Sequence, residues 1–305
     1  MQVPDMIGGY RVLEAMAGGS AETELFKARR VGDESAPVVC LKRVHPNYDD
    51  NPLFAKRFEE ELEIAQRLRH RNVVEVADYG EDGGHFFVME YVEGASLEEV
   101  LGAGALAPSL VAYLGVEVCR ALSFLHHSDP EMGRGPVIHG DLTPHNLLLG
   151  RDGGVKVADF GLAKALGRTG AETLARAGGK PTYMSPEQLA GEKVSSRTDL
   201  FSLGLVLWRA LVGTHPYGEE RPRGTELNDW IRQRTLQNAR RTVAAAAPHA
   251  STALRDGVEG LLQPLATRLP TAEDVFALLR QVEPIDGHSL LAARLAEVRG
   301  RGPTR

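Results

Sequence analysis

The 305-residue chain has only two cysteines, Cys40 and Cys119, too far apart in sequence for a disulfide framework or the paired spacing of a zinc site. Such sparse cysteine is expected of a reducing compartment, and a cytoplasmic location is the expectation. Long apolar runs are lacking too. The longest, Leu203 to Val212, is broken by Arg209, and no basic region followed by an apolar segment stands near the N-terminus. No signal peptide and no membrane span are therefore expected. An excess of basic charge is also missing. Thirty-five Lys and Arg against 41 Asp and Glu leave a net charge of −6, which argues against general nucleic-acid binding. The chain shows no internal repeat and no sign of a sensor module or second domain.

What is present is concentrated in one stretch, HGDLTPHNLLL at 139–149, followed by DFG at 159–161. It reads as a phosphoryl-transfer site. That chemistry rests on holding hydroxyl, metal and phosphate in line, so it needs few protein groups. Asp141 suits the incoming hydroxyl, Asn146 offers an amide oxygen to a magnesium ion from the same loop, and Asp159 offers a carboxylate. Oxygen ligands of this kind fit Mg2+, which keeps several waters and takes one or two protein oxygens beside the nucleotide phosphates. Upstream, VVCLKRV at 38–44 is β-branched and apolar around one lysine, Lys42, as expected of a buried strand. A buried ammonium requires a counter-charge. The following segment has Pro52 in a first-turn position, and Phe54, Phe58, Ala65 and Leu68 at helical spacing. Glu61 falls on the same stripe, which makes Lys42 with Glu61 the expected pair.

In that order these motifs resemble a protein kinase, most closely the bacterial serine/threonine kinases of the eukaryotic (Hanks) type. The resemblance covers nearly the whole chain: GGSAETEL at 18–25, Lys42, Glu61, HGDLTPHN, DFG, Ser185-Pro186-Glu187, Asp199 at the head of an apolar helix, and Arg268 where the family pairs an arginine with the glutamate at 187. It implies an α+β, bilobal fold. A small β-rich lobe with one long helix would span 8–92, a larger helical lobe 93–283, and a further helix and tail 284–305. It implies ATP held against Gly18, Gly19, Ser20, Cys40, Lys42, Met89, Glu90 and Val92. Magnesium would sit on Asn146 and Asp159, with Asp141 as catalytic base and Lys42, braced by Glu61, on the α- and β-phosphates. The partner implied is a protein substrate of unknown identity, and Thr169 and Thr173 are either autophosphorylation sites or, the more ordinary reading, solvated hydroxyls.

Departures from the family pattern define the kind of kinase expected. Against GxGxxGxV the chain keeps Gly18 but has Ser20 and Thr23 at the later glycines and Leu25 at the end, so close backbone approach to phosphate is harder. The arginine that usually precedes the catalytic aspartate, and reads an activation-loop phosphate, is Gly140. Activity is therefore expected not to depend on activation-loop phosphorylation. Thr143 stands where serine/threonine kinases carry a lysine, and Lys180 where they carry a threonine. The exchange leaves two readings: Lys180 reaches back toward Asp141 and Thr143, or it is an exposed loop lysine. The eroded glycine loop leaves a nucleotide-binding pseudokinase as the alternative. HGDxxxxN also resembles the loop of aminoglycoside- and choline-type small-molecule kinases. Six arginines between Glu219 and Arg241, interleaved with acids, read as a solvated face late in the large lobe or a docking surface for an acidic partner.

Overall fold

The computed structural model describes residues 4–20, 23–45, 62, 65–127, 136–159, 181–217, 227–237 and 240–300. Alternation of apolar and polar residues builds the first lobe. Its strands are β1 (Met6–Ile7), β2 (Tyr10–Ser20), β3 (Thr23–Arg30), β4 (Val39–Val44), β5 (Val76–Glu81) and β6 (His85–Glu90), all paired antiparallel in the order β1-β2-β3-β4-β6-β5. The sequence suggested five strand-like runs; the sixth strand is the two-residue β1, too short to show a period. Phe26, Ala28, Leu41, Phe86 and Val88 gather on one face of the sheet with Ile7 and Tyr10. On the opposite face Val44, Phe87 and Met89 join the main core, and Cys40 packs against it. Lys42 shares this second face by the period-2 rule.

Next, β7 (Gly94–Ser96) leads into a short helix, α1 (Leu97–Leu101), which Ser96 and Glu99 close with a reciprocal capping box. The core of the large lobe is α2 (Pro108–His126), whose Pro108 takes the tolerated first-turn position. Among the described residues α2 is the one helix long and apolar enough to cross a membrane, and 72% of that apolar window is buried inside the protein. Two more strands, β8 (Leu147–Gly150) and β9 (Val155–Val157), complete a three-stranded sheet with β7. At Gly94 a side chain has no room, because an added Cβ would stand 1.7 Å from the Leu149 carbonyl oxygen across the β7–β8 pair.

After the short α3 (Pro186–Ala190) comes α4 (Ser196–Val212), apolar on all sides and correspondingly central. Leu200, Leu203, Leu205, Val206 and Leu207 are all fully buried. Each such side chain stabilises the fold by about 1.5–3 kcal/mol relative to exposure. The helix ends at Gly213, whose φ of 85° gives the left-handed cap that glycine adopts at no steric cost. Helix α5 (Leu227–Leu236) lies against α3 and the turn Pro181–Tyr183, α6 (Val243–Ala246) packs on α7 (Thr252–Leu261), α7 packs on α4, and α8 (Ala272–Leu279) packs on α2. Finally α9 (Gly287–Gly300) docks on α2 and β8 through Leu291 and Leu295, both buried. The arginine-rich stretch is not uniformly a solvated face. The Arg240 side chain is 3% exposed, bonds Glu259 at 2.7 Å and lies over the Trp208 ring.

Candidate active site

The two lobes meet through residues 70–76, where a run of backbone and side-chain bonds ties the small lobe to the large one. Val73 bridges Val157 in parallel, Val157 N–H donates to the Asn72 carbonyl, and Val74 N–H donates to the Val157 carbonyl. Asn72, 2% exposed, donates from Nδ2 to the Val155 carbonyl at 2.8 Å and to Glu117 Oε2 at 2.7 Å. Glu117 is a carboxylate buried on α2, and Arg71 reaches it with two contacts of 3.1 Å while Arg120 closes the other side. The chain leaving this anchored β9 runs directly into Ala158 and Asp159.

Asp159 has φ 58°, the only left-handed non-glycine residue among those described. Such a conformation costs of order 1 kcal/mol and persists where the surroundings over-determine it. Here Lys42 Nζ holds Asp159 Oδ1 at 2.8 Å. The neighbouring loop is fixed by side chains because it has no ladder of its own. His139 Nε2–H donates to the Ala158 carbonyl at 2.9 Å, and its Nδ1 accepts from Asp141 N–H at 3.2 Å. The sequence reading gave His139 no role; its place in the HGD triplet was the available signal.

Asp199, fully buried in the first turn of α4, collects three donors: His126 Nε2 at 2.8 Å, His139 N–H at 2.9 Å and Gly140 N–H at 2.8 Å. Gly140 has φ 74°, a region open to glycine and strained for an arginine. These bonds deliver Asp141 to the cleft. Asn146 Nδ2 donates to the Asp141 carbonyl at 2.8 Å and to its Oδ2 at 3.2 Å. Asp141 is exposed as a residue, while its carboxyl group is crowded by the neighbouring polar side chains. Desolvation of the carboxyl raises its pKa above the ordinary carboxylate value, and the charge of Asp159 adds to it, against His139, the Asn146 bond and Lys42.

The donor set fits a hard cation. Because Asn146 spends its nitrogen on Asp141, its amide oxygen faces away with no partner among the described residues, and Asp159 has a second oxygen beyond the one on Lys42. No group of three or more His, Cys, Asp or Glu side chains that could hold a metal ion occurs among the described residues, so the candidate ligands are Asp159 and the amide Asn146.

Of the nucleotide-facing candidates, Met89 is 7% exposed and pairs across the sheet with Cys40. Cys40 is half-buried, and burial pushes its thiol pKa up to about 12, so it is a packed thiol rather than a reactive one. Glu90 bonds Lys156 at 2.6 Å, and Val92 packs against the main core. Gly18, Gly19 and Ser20 end β2, where the register with β3 shifts between Met16 and Ser20; Ser20 pairs Thr23. Extra residues on the β2 arm thus coincide with the glycines. Thr143 is 8% exposed, and its carbonyl accepts from Asn146 N–H in the turn Pro144–Asn146. Glu61, Lys180 and the segment 160–180 with Thr169 and Thr173 lie outside the described residues.

On the far side of Asp141, the turn Pro181–Tyr183 is bound to α4 and its C-terminal exit. Ser202 Oγ donates to the Tyr183 carbonyl at 2.8 Å, His215 Nε2–H to the Thr182 carbonyl at 2.7 Å, and Arg209 to the Tyr183 hydroxyl at 2.7 Å. Burial lowers the His215 pKa to about 4, so it stays a neutral donor. Behind α3, Arg268 grips Glu187 at 2.7 and 3.2 Å, the pairing expected from sequence.

A sequence profile of the family described as "Protein kinase domain" matches residues 18–278. The probable serine/threonine-protein kinase SCO3848 of Streptomyces coelicolor is 34% identical over 73% of this chain and 33% of its own length. The serine/threonine-protein kinase PrkC of Bacillus subtilis is 32% identical over 70% of this chain and 32% of its length. The tyrosine-protein kinase MasK of Myxococcus xanthus is 34% identical over 70% of this chain and 34% of its length. The chain therefore spans about a third of the length of these relatives. In fold it resembles the Mycobacterium tuberculosis PknI kinase domain, with a TM-score of 0.66 at 24% identity, covering 92% of this chain and 100% of that one. With the motifs and the bilobal α+β architecture, the profile match over most of the chain makes this protein a member of the protein kinase domain family.

Proposed function

We propose that the chain is an ATP- and magnesium-dependent kinase that transfers the γ-phosphate to serine or threonine hydroxyls of a protein substrate, without prior phosphorylation of its activation segment. The observation that carries the reading is the convergence of Asp141, Asn146, Asp159 and Lys42, linked by the Asn146–Asp141 and Lys42–Asp159 contacts. Asp141 orients the incoming hydroxyl and accepts its proton; the raised pKa brings its basicity closer to neutral pH, which favours a general base. Lys42 binds the α- and β-phosphates. Magnesium, held by Asn146 and Asp159, would supply positive charge along the phosphates during transfer. Cys40, Met89, Glu90 and Val92 would line the adenine side, and Gly18, Gly19 and Ser20 the phosphate side. Independence from activation-segment phosphorylation is supported by Gly140, which has no side chain to read a phosphate. The reading puts the enzyme in the cytoplasm, with Mg-ATP.

The test is phosphate transfer from labelled Mg-ATP to the protein itself and to a generic basic protein, beside Asp141→Asn and Asp159→Asn variants, with sites mapped by mass spectrometry. Incorporation on Ser or Thr that both variants lose supports the reading. ATP binding without transfer moves it to a pseudokinase, and transfer only to small alcohols or aminoglycosides to a small-molecule kinase. Retained activity in Thr169→Ala/Thr173→Ala supports independence from the activation segment, and lost activity refutes it.

A further inference from the structure

Glycine at 140 removes more than a phosphate-reading side chain. It places the most permissive residue of the backbone directly before the catalytic aspartate, in a left-handed conformation with φ 74° and nothing within 4 Å of a notional Cβ. Left to itself, such a peptide samples many orientations, and Asp141 would move with it. Both polar groups of Gly140 are instead taken by side chains. Its N–H donates to Asp199 Oδ1, and its carbonyl accepts from Gln188 Nε2 at 2.8 Å. Gln188 is itself tied down. Its Oε1 accepts from Ser185 N–H at 3.0 Å, and its N–H donates to Ser185 Oγ at 3.3 Å, the capping box of α3. The same helix is locked to the large lobe by Glu187 and Arg268.

We propose that Gln188 is a positioning residue of the phosphoryl-transfer site: its amide couples the Gly140–Asp141 peptide to the anchored end of the activation segment, a coupling that needs no phosphate. The proposal rests on the kinase reading above. The amide suits this because its oxygen serves the helix cap while its nitrogen serves the catalytic loop, two tasks that one substitution can separate. Glutamate keeps an acceptor for Ser185 N–H and is favourable near a helix N-terminus, but offers no donor to the Gly140 carbonyl. Alanine removes both.

The experiment compares the parent with Gln188→Glu and Gln188→Ala in steady-state phosphate transfer and thermal melting. For Gln188→Glu the expectation is a kcat lower by about 10- to 100-fold, as for a catalytic group set slightly out of line, with KM for ATP unchanged. Its melting temperature should fall by less than that of Gln188→Ala, which loses the helix cap as well as the bond to Gly140. A parental kcat in Gln188→Glu overturns the proposal. So does a loss of rate accompanied by the same fall in melting temperature as Gln188→Ala, since that marks a cap and nothing more. If the parent transfers no phosphate, the kinase reading fails by itself, and amide hydrogen exchange over residues 138–146 decides the coupling. Faster exchange in Gln188→Glu than in the parent supports it, and equal exchange overturns it.

Discussion

Replacing Arg268 by methionine tests whether the large lobe is organised around a buried charge. The guanidinium is fully buried and Glu187 2% exposed at the side chain, with contacts of 2.7 and 3.2 Å between them. Arg268 also donates to the Arg197 carbonyl at 2.7 Å and the Gln263 carbonyl at 3.1 Å, and its guanidinium lies 4.6 Å from the centre of the Phe201 ring. Methionine fills much of the volume but leaves Glu187 with Thr198 Oγ1 as its side-chain partner, at 3.2 Å. Removing one member of a buried pair costs about 3–5 kcal/mol, because an uncompensated charge remains. In a lobe of this size that corresponds to a melting temperature lower by roughly 6–20 °C. Glu187→Gln should cost less, about 1–3 kcal/mol, since Arg268 keeps two carbonyls, an amide oxygen and the ring.

The pH dependence has a definite sign. Burial alone would raise the Glu187 pKa, but the Arg268 bonds and charge outweigh it and leave the pKa below the ordinary glutamate value. The folded parent therefore binds fewer protons than the unfolded chain near pH 4, and the pair's contribution is present above about pH 4.3 and lost as pH falls through the folded value. In Arg268→Met the unpartnered Glu187 shifts upward instead, so the gap between variant and parent narrows on acidification. Differential scanning calorimetry between pH 4 and pH 8 measures both effects. A loss below about 3 °C at neutral pH, a larger loss for Glu187→Gln, or a gap that widens toward acid would each refute the reasoning.

Three further outcomes are expected. Asp141→Asn, which should abolish transfer, should melt at or above the parental temperature at pH 7, because the folded carboxyl pKa is raised and its contribution fades as pH rises through that value; a lower melting temperature would count against it. Asn72→Ala removes a buried amide with bonds to Glu117 and the Val155 carbonyl, and should cost about 1–3 kcal/mol by urea denaturation while loosening the strand that leads into Asp159. Gly94→Ala, whose Cβ would fall 1.7 Å from the Leu149 oxygen, must push β7 from β8 and should cost about 3 kcal/mol, read from the same curves.

The parts legible in the sequence were those whose signal is local. The strand holding Lys42 and the central helix α4 each follow from a pattern over a few residues. The Arg268–Glu187 pair was legible only through resemblance, since nothing in the spacing of two residues so far apart brings them together. The partner of Lys42 shows the limit. A helical stripe fixes which face Glu61 lies on, but that residue is outside those described, and the contact seen is with Asp159, whose approach depends on the left-handed turn after β9. Arg240 shows it again, an arginine in a basic run that packing places under Trp208 and against Glu259.

The residues the sequence concealed share one physical cause. A catalytic loop has to leave regular secondary structure to present Asp141 and Asn146, and each of its buried N–H and carbonyl groups then requires a partner from outside. Gln188 and His139 supply those partners in the large lobe beside Asp199, which the resemblance had already marked, and Asn72 with Glu117 does so for the strand that carries Asp159. In sequence these are ordinary polar residues, and in a helix such as α2 a lone Glu117 among apolar neighbours looks like an intrusion. In the fold they are buried, Gln188 half-buried, because the loop cannot be held without them. A mutation at any of them should therefore reach catalysis through the backbone before it reaches a substrate, with kcat falling more than KM for ATP.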